Sequence, residues 1–291
     1  MRTLSEDTDP AVERMQMAIM ARLPAWRKIE LIGGMNGMIS GLAIDGIRSR
    51  HPRVGAREVR YLLDEQRLGA PAARQLRAAR EGKHDEYDEY EEGAYVAVDP
   101  VPVTLLAVAA LDCLAIPYYL AGSIASGVHG VYRATADADI VAELREDQVD
   151  DLARLLDADF YADAEMMRDA IRHRSSFNLL HLATGFKVDV FVDRGRPFDR
   201  SRFEHRVSSP VTPSAEGGVY LSSAEGMVLA KLEWYRMGGE GGEVFDRQWY
   251  DIQGILKVRA AELDLPYLRH WADQLGIADL LTRALDDAGL G

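Results

Sequence analysis

A chain of 291 residues is long enough for two domains of ordinary size, and 47% hydrophobic with 28% charged residues is ordinary globular composition. A net charge of −13 argues against simple non-specific binding to nucleic acid. No apolar run reaches the roughly 18 residues of a membrane span. The longest, Val101 to Leu114, is broken by Pro102, Thr104 and Asp112. The acidic, polar opening Met1 to Asp9 does not read as a signal peptide. The single cysteine, Cys113, lies in an apolar helical stretch and reads as core, which suits a reducing cytoplasm.

The charge is unevenly spread. Residues 1–80 carry 14 basic against 9 acidic side chains, residues 81–100 carry 1 against 8, and residues 101–291 carry 19 against 30. Local basic surfaces are therefore compatible with global acidity, and RNA is not excluded as a partner.

In chain order, residues 11–80 show helical spacing punctuated by Pro24, Pro52 and Pro71, which predicts three or four helices. One runs from Ala11 to Leu23. The next runs from Trp26 to about Ile47 through Leu31, Met35, Met38 and Leu42, and another begins near Gly55 with Val59, Leu62 and Leu63. The methionines Met15, Met17, Met20, Met35 and Met38 read as ordinary core, with a docking face as the alternative. An acidic run, Glu81 to Gly93, with Tyr87 and Tyr90 inside it, reads as a self-repelling linker. The predicted organisation is an all-α N-terminal domain over 1–80, a linker over 81–100 and a mixed α/β domain over 101–291, its core at 101–221 and helices from 222.

In that second part a helix at Val103–Leu114 leads to a strand at Tyr118–Ala121, a Gly122-Ser123 turn and a short helix at Ile124–Val128. A strand at Asp137–Val141 follows, then helices at about Arg145–Leu156 and Ala164–Arg172. Strands at Phe177–Ala183 and Phe186–Val192 form a hairpin joined by Thr184-Gly185. The tail from Ser222 is helical, with a Gly-rich break at 237–242.

The chemistry concentrates in this part. Asp137-Ala-Asp139 on a strand points both carboxylates to one face, because strand side chains alternate with period two. Two such carboxylates repel unless a cation lies between them, and hard divalent ions, Mg²⁺ above all, take oxygen ligands together with substrate phosphates. Asp189, on the second hairpin strand, is a third carboxylate of the same kind. A strand ending in Gly-Ser at a helix N-terminus offers backbone N–H groups and a hydroxyl to a phosphate, and glycine lets the phosphate approach closely. Ser123 also fits a plain helix N-cap. Arg133 fits a phosphate contact or a surface ion pair. Arg168, Arg172 and Arg174 fit a solvated helix face or a cradle for triphosphate or RNA backbone. The seven histidines have no metal-ligand spacing, so zinc is not expected.

Gly122-Ser123, the Arg133-Ala-Thr135-Ala-Asp137-Ala-Asp139 stretch and Asp189 resemble the core of the DNA polymerase β-like nucleotidyltransferase superfamily. Ser223 to Arg236, with Lys231, and Asp246 to Asp251 resemble its bacterial AbiEii-like, toxin-type subgroup; Gln248 and Trp249 stand where that subgroup carries charges. The resemblance covers roughly 102–290 and implies an α+β nucleotidyltransferase fold with a mixed sheet and a helical tail. It implies Mg²⁺, in a two-metal site, on Asp137, Asp139 and Asp189. It further implies catalytic roles for these three and Lys231, and nucleotide contacts at Gly122, Ser123, Arg133, Thr135, Lys231 and Asp251. Lys231 also fits a lysine snorkelling from an amphipathic helix. The implied reaction moves a nucleoside monophosphate from an NTP to a hydroxyl on an RNA or tRNA 3′ end or on a protein, in a toxin–antitoxin setting, with no membrane partner. Small-molecule acceptors of the aminoglycoside type, and a non-catalytic nucleotide-binding module, are the alternatives. More loosely, residues 1–80 resemble small helical proteins encoded beside such transferases, which implies intramolecular regulation.

Overall fold

The computed structural model describes residues 2–5, 7–83, 99–213, 218–238 and 243–291. The acidic run from residue 84, with Tyr87 and Tyr90, and the Gly-rich positions 239–242 lie outside the described residues. Helices α1 (Pro10–Arg22), α2 (Ala25–Arg50), α3 (Ala56–Leu68), α4 (Ala70–Gly82) and α5 (Pro100–Cys113) precede β1 (Tyr118–Leu120), α6 (Gly122–His129) and β2 (Asp137–Ala142). A 3₁₀ turn at Glu146–Gln148 leads into α7 (Val149–Leu156), then β3 (Phe160–Tyr161), α8 (Ala164–His173), β4 (Ser176–His181) and β5 (Lys187–Val192). The chain closes with α9 (Pro197–Glu204), β6 (Val207–Pro210), β7 (Gly218–Leu221), α10 (Ala224–Gly238), α11 (Glu243–Val258), α12 (Leu265–Gln274) and α13 (Ala278–Ala288). The class is mixed α/β, as the alternation of patterns implied.

These elements form two compact units. The inner unit comprises Glu30–Tyr118 and Ala134–Arg194; the terminal unit comprises Met1–Ile29, Tyr119–Arg133 and Gly195–Gly291.

In the inner unit β2 and β5 pair in parallel, β4 pairs antiparallel with β5, and β3 pairs antiparallel with β4. Alternation along β2 and β5 buries Ala138, Ile140, Ala142, Val188, Val190 and Val192 on one face and leaves the intervening residues half-exposed on the other. Each fully buried Val or Ile contributes about 1.5–3 kcal/mol, so a one-residue slip in either strand would lose several such terms at once. Helix α4 reaches the hairpin end of the sheet, where Leu76 packs with Leu180 and Leu182. Arg80 Nε donates to the Leu182 carbonyl at 2.6 Å, and Arg80 pairs with the buried Asp64 of α3.

In the terminal unit β1 pairs in parallel with β7 and β7 antiparallel with β6. Gly130 and Gly254 let α11 approach the chain leaving α6: a Cβ at Gly130 would stand 2.7 Å from the Ile255 nitrogen. The buried pair Lys257–Glu13, at 2.9 Å, ties α1 to α11.

Three core expectations are corrected. Met38 and Leu42 are exposed, because the buried stripe of α2 runs through Ile29, Ile32, Ile44 and Ile47, a different face, and Met15 of α1 is exposed as well. In α1 the buried side chain is Glu13, which has its lysine partner, and no methionine of that helix is fully buried. Cys113 is exposed, since α5 buries Val103, Thr104, Ala107, Val108 and Leu111, and a residue two beyond Leu111 points to the opposite side. Elements α9, β6 and β7, in a stretch for which the sequence reading offered none, complete the terminal unit.

Candidate functional site

The residues singled out from the sequence fall into two groups, one in each unit. In the inner unit the β2–β5 register sets Asp139 directly opposite Asp189 and Asp137 directly opposite Lys187. Because the strands are parallel and in register, Asp137, Asp139, Lys187 and Asp189 share one half-exposed face, as the Asp-x-Asp alternation predicts. Asn178 of β4 lies beside Asp189 on the same face and is exposed. Thr135 secures the entry to β2. Its hydroxyl lies 2.8 Å from the Asp137 carbonyl, and its N–H donates to Asn36 Oδ1 of α2 at 3.3 Å.

Lys187 Nζ lies 2.7 Å from Asp189 Oδ2 and 3.6 Å from Asp137 Oδ2. Asp189 Oδ1 is buried without a hydrogen-bond partner. Burial, the largest influence, pushes the Asp189 carboxyl up, the Asp137 charge adds to the rise, and Lys187 opposes it. Among the described residues no three His, Cys, Asp or Glu side chains are already gathered to hold a metal ion. In the carboxylate row the neighbouring cation is the Lys187 ammonium. The donor chemistry nonetheless fits a hard divalent ion: carboxylate oxygens on one face, one of them buried and unpartnered.

In the terminal unit Gly122 opens α6 at φ 54°, a left-handed conformation that favours glycine, and no side chain caps the helix. Ser123 is in the first turn rather than in a turn before the helix. Its Oγ accepts from Arg133 Nη2 at 2.8 Å. Arg133 also clamps Asp251 with two bonds of 3.1 Å. Lys231 Nζ donates to Asp251 Oδ2 at 2.9 Å and to Gln248 Oε1 at 2.7 Å. The Lys231 side chain is only 7% exposed, so it is a buried ion-pair partner and does not snorkel. Asp251, 1% exposed, orients both cations, and α11 can supply it because of the close approach at Gly130 and Gly254. Burial alone would raise the Asp251 carboxyl, but Lys231 and Arg133 together hold it below the ordinary range.

Gln248, one of the two unexpected residues in this motif, therefore touches Lys231. Trp249 turns elsewhere: its Nε1 donates to Asp287, its ring packs against Tyr235, and the Arg283 guanidinium lies 4.7 Å from its centroid. It helps line a cavity of about 340 Å³ with Tyr235, Tyr250 and Gln253.

Lys187 and Gln248 were missing from the sequence-derived site. The signal for Lys187 was present, since it stands two residues before Asp189 on the same strand face. Gln248 had a weaker one, its place three residues before Asp251. Of the three arginines near the end of α8, Arg168 pairs with Glu165 and Asp150 at the surface, Arg172 is exposed, and Arg174, just past the helix, donates to the Asp193 carbonyl.

No family model and no curated protein matches the chain. Solved structures similar to it include two nucleotidyltransferase-type chains. One is an antigenic nucleotidyltransferase-like protein from Paracoccidioides brasiliensis, at 18% identity and a TM-score of 0.40, covering 63% of this chain and 91% of its own. The other is the antibiotic-resistance factor ANT(2'')-Ia, at 13% identity and a TM-score of 0.36, covering 66% of this chain and 96% of its own. Among the described residues no helix is long and apolar enough to cross a membrane.

Proposed function

We propose that the chain is a divalent-metal-dependent nucleotidyltransferase. The observation that carries this reading is the register of β2 against β5, which sets Asp139 opposite Asp189 on the face that also bears Asp137. The reaction is attack of an acceptor hydroxyl oxygen on the α-phosphorus of an NTP. A new oxygen–phosphorus bond forms, the bond from the α-phosphorus to the bridging oxygen breaks, and pyrophosphate leaves with the electron pair.

Asp189 takes the hydroxyl proton in this proposal, a role supported by the upward push that burial gives its carboxyl. A divalent ion held by Asp137, Asp139 and Asp189 would supply charge neutralisation for the triphosphate and the leaving pyrophosphate. The resemblance assigns phosphate contacts to Gly122, Ser123 and Arg133 and the developing charge to Lys231; within the terminal unit Asp251 with Gln248 holds that lysine in place. The acceptor class, an RNA or tRNA 3′ end or a protein hydroxyl in a toxin–antitoxin setting, rests on the resemblance of the Ser223–Arg236 and Asp246–Asp251 segments.

The test is incubation with each α-³²P-labelled NTP and Mg²⁺, with total bacterial RNA and without it. Label on RNA or protein is expected, and an Asp137→Ala/Asp139→Ala variant should lower it at least about a thousandfold, as expected when groups acting as a unit are removed. Label that survives in the variant would refute these roles. Tight NTP binding with no pyrophosphate release would instead establish a binding module.

A further inference from the structure

We infer that Lys187 is a built-in counter-ion for the carboxylate row, and that a divalent cation must displace its ammonium in order to bind. The inference rests on the nucleotidyltransferase reading and deepens it. The placement follows from the strands: Lys187 is two residues from Asp189 on β5 and directly opposite Asp137 on β2, so its stem rises from the carboxylate face itself. The ammonium lies 2.7 Å from one Asp189 oxygen and 3.6 Å from one Asp137 oxygen, a position between two carboxylates where a metal ion would be attracted.

The arrangement is incomplete as a purely structural ion pair. Asp189 Oδ1 is buried and unpartnered while Oδ2 takes the lysine, so one ammonium leaves the buried carboxylate half-satisfied. Asp139, opposite Asp189, adds a further carboxylate to the same face. Lysine also suits displacement. Its charge is a point on a flexible four-carbon stem, unlike the rigid fork of arginine, and this side chain is 29% exposed and so has room to move.

Two consequences follow. A bare divalent ion competes with a tethered cation and binds weakly. An ion arriving with a nucleoside triphosphate brings phosphate oxygens that can take up the displaced ammonium, so ion and nucleotide reinforce each other's binding.

The test is titration of the intact chain with Mn²⁺, read by electron paramagnetic resonance without nucleotide. Wild type, Lys187→Met, Lys187→Gln, Lys187→Arg and Asp189→Asn are compared after circular dichroism has established that each is folded. Removal of the ammonium in the Met and Gln variants should tighten Mn²⁺ binding about tenfold or more, the Arg variant should stay weak, and Asp189→Asn should weaken it. Equal or weaker binding in both neutral variants, with Asp189→Asn still weakening it, would overturn the counter-ion role and leave the metal reading standing. Mn²⁺ affinity indifferent to Asp189→Asn, or no binding in any variant, would overturn the metal reading as well.

Discussion

Replacing Asp251 by alanine tests the terminal-unit network most directly. The carboxylate is almost fully enclosed, at 1% exposure, and it neutralises Lys231 at 7% and Arg133 at 28%. Removing one partner of a buried pair costs about 3–5 kcal/mol, because the remaining charge stays buried without compensation. Two features place Asp251→Ala at the lower end of that range. Gln248 Oε1 still accepts from Lys231 at 2.7 Å, and Arg133 is exposed enough to regain water. The expected loss is about 3 kcal/mol, read as a lowered urea midpoint by tryptophan fluorescence. A Lys231→Met/Asp251→Leu double variant should be more stable than Asp251→Ala alone, since it removes the stranded charge with its partner. The pH dependence has a definite sign. The folded Asp251 carboxyl lies below its ordinary value of 3.8, so its contribution is fully present above that pH and is lost as pH falls below it. A loss under about 1 kcal/mol for Asp251→Ala, or a double variant weaker than the single one, would refute the reasoning.

Two further outcomes follow from the packing. Gly130→Ala should cost about 2–3 kcal/mol, because its Cβ would strike the backbone of Gly254 and Ile255, whereas Gly34→Ala, with nothing within 4 Å, should be neutral or stabilise by up to about 1 kcal/mol. Equal midpoints for the two variants would contradict the close approach of α11. His129 is buried, donates to the Ser222 carbonyl at 2.7 Å, and has its pKa lowered from 6.5 to about 4, mainly by desolvation. The unfolded chain therefore takes up the proton first, and stability present above pH 6.5 should fall between 6.5 and about 4, by on the order of 3 kcal/mol for this group. His181, also lowered to about 4 by burial, acts in the same window. Denaturation midpoints against pH should thus show a shallower fall for His129→Asn than for wild type, and an unchanged slope would remove His129 from the account.

Much of the inner unit was legible because short-range rules govern it. Period-two alternation put Asp137 and Asp139 on one face, the Thr184-Gly185 signal marked the hairpin, and Val188, Val190 and Val192 marked the buried side of β5. Parallel register, which sets Asp139 exactly against Asp189 rather than merely near it, is a long-range property that no local pattern carries. Helix α2 misled for a related reason. Met35, Met38 and Leu42 are as regularly spaced as Ile29, Ile32, Ile44 and Ile47, and only the packed neighbours decide which stripe is covered. Strands β6 and β7 are four residues each, too short for alternation to separate them from loop.

The charged residues show most clearly where local reading stops. Lys28, Asp251 and Lys231 look in sequence like ordinary helix charges, yet each is buried, and each is satisfied from another element of the fold. Lys28 donates to the Val128 carbonyl at the end of α6, and desolvation lowers its pKa to about 8. Lys231 and Asp251 meet between successive helices, and Arg133 reaches Asp251 from the loop after α6. Burying such charges costs several kcal/mol each unless partners are exact, so hydrophobic patterning alone would not select these positions. Lys187 differs in kind: it is partly exposed, its nearest partner stands two residues along its own strand, and that carboxylate keeps one oxygen unsatisfied. A lysine that completes its partner belongs to the fold, whereas one that leaves its partner half-served, on the face bearing three aspartates, is placed to give way to another cation.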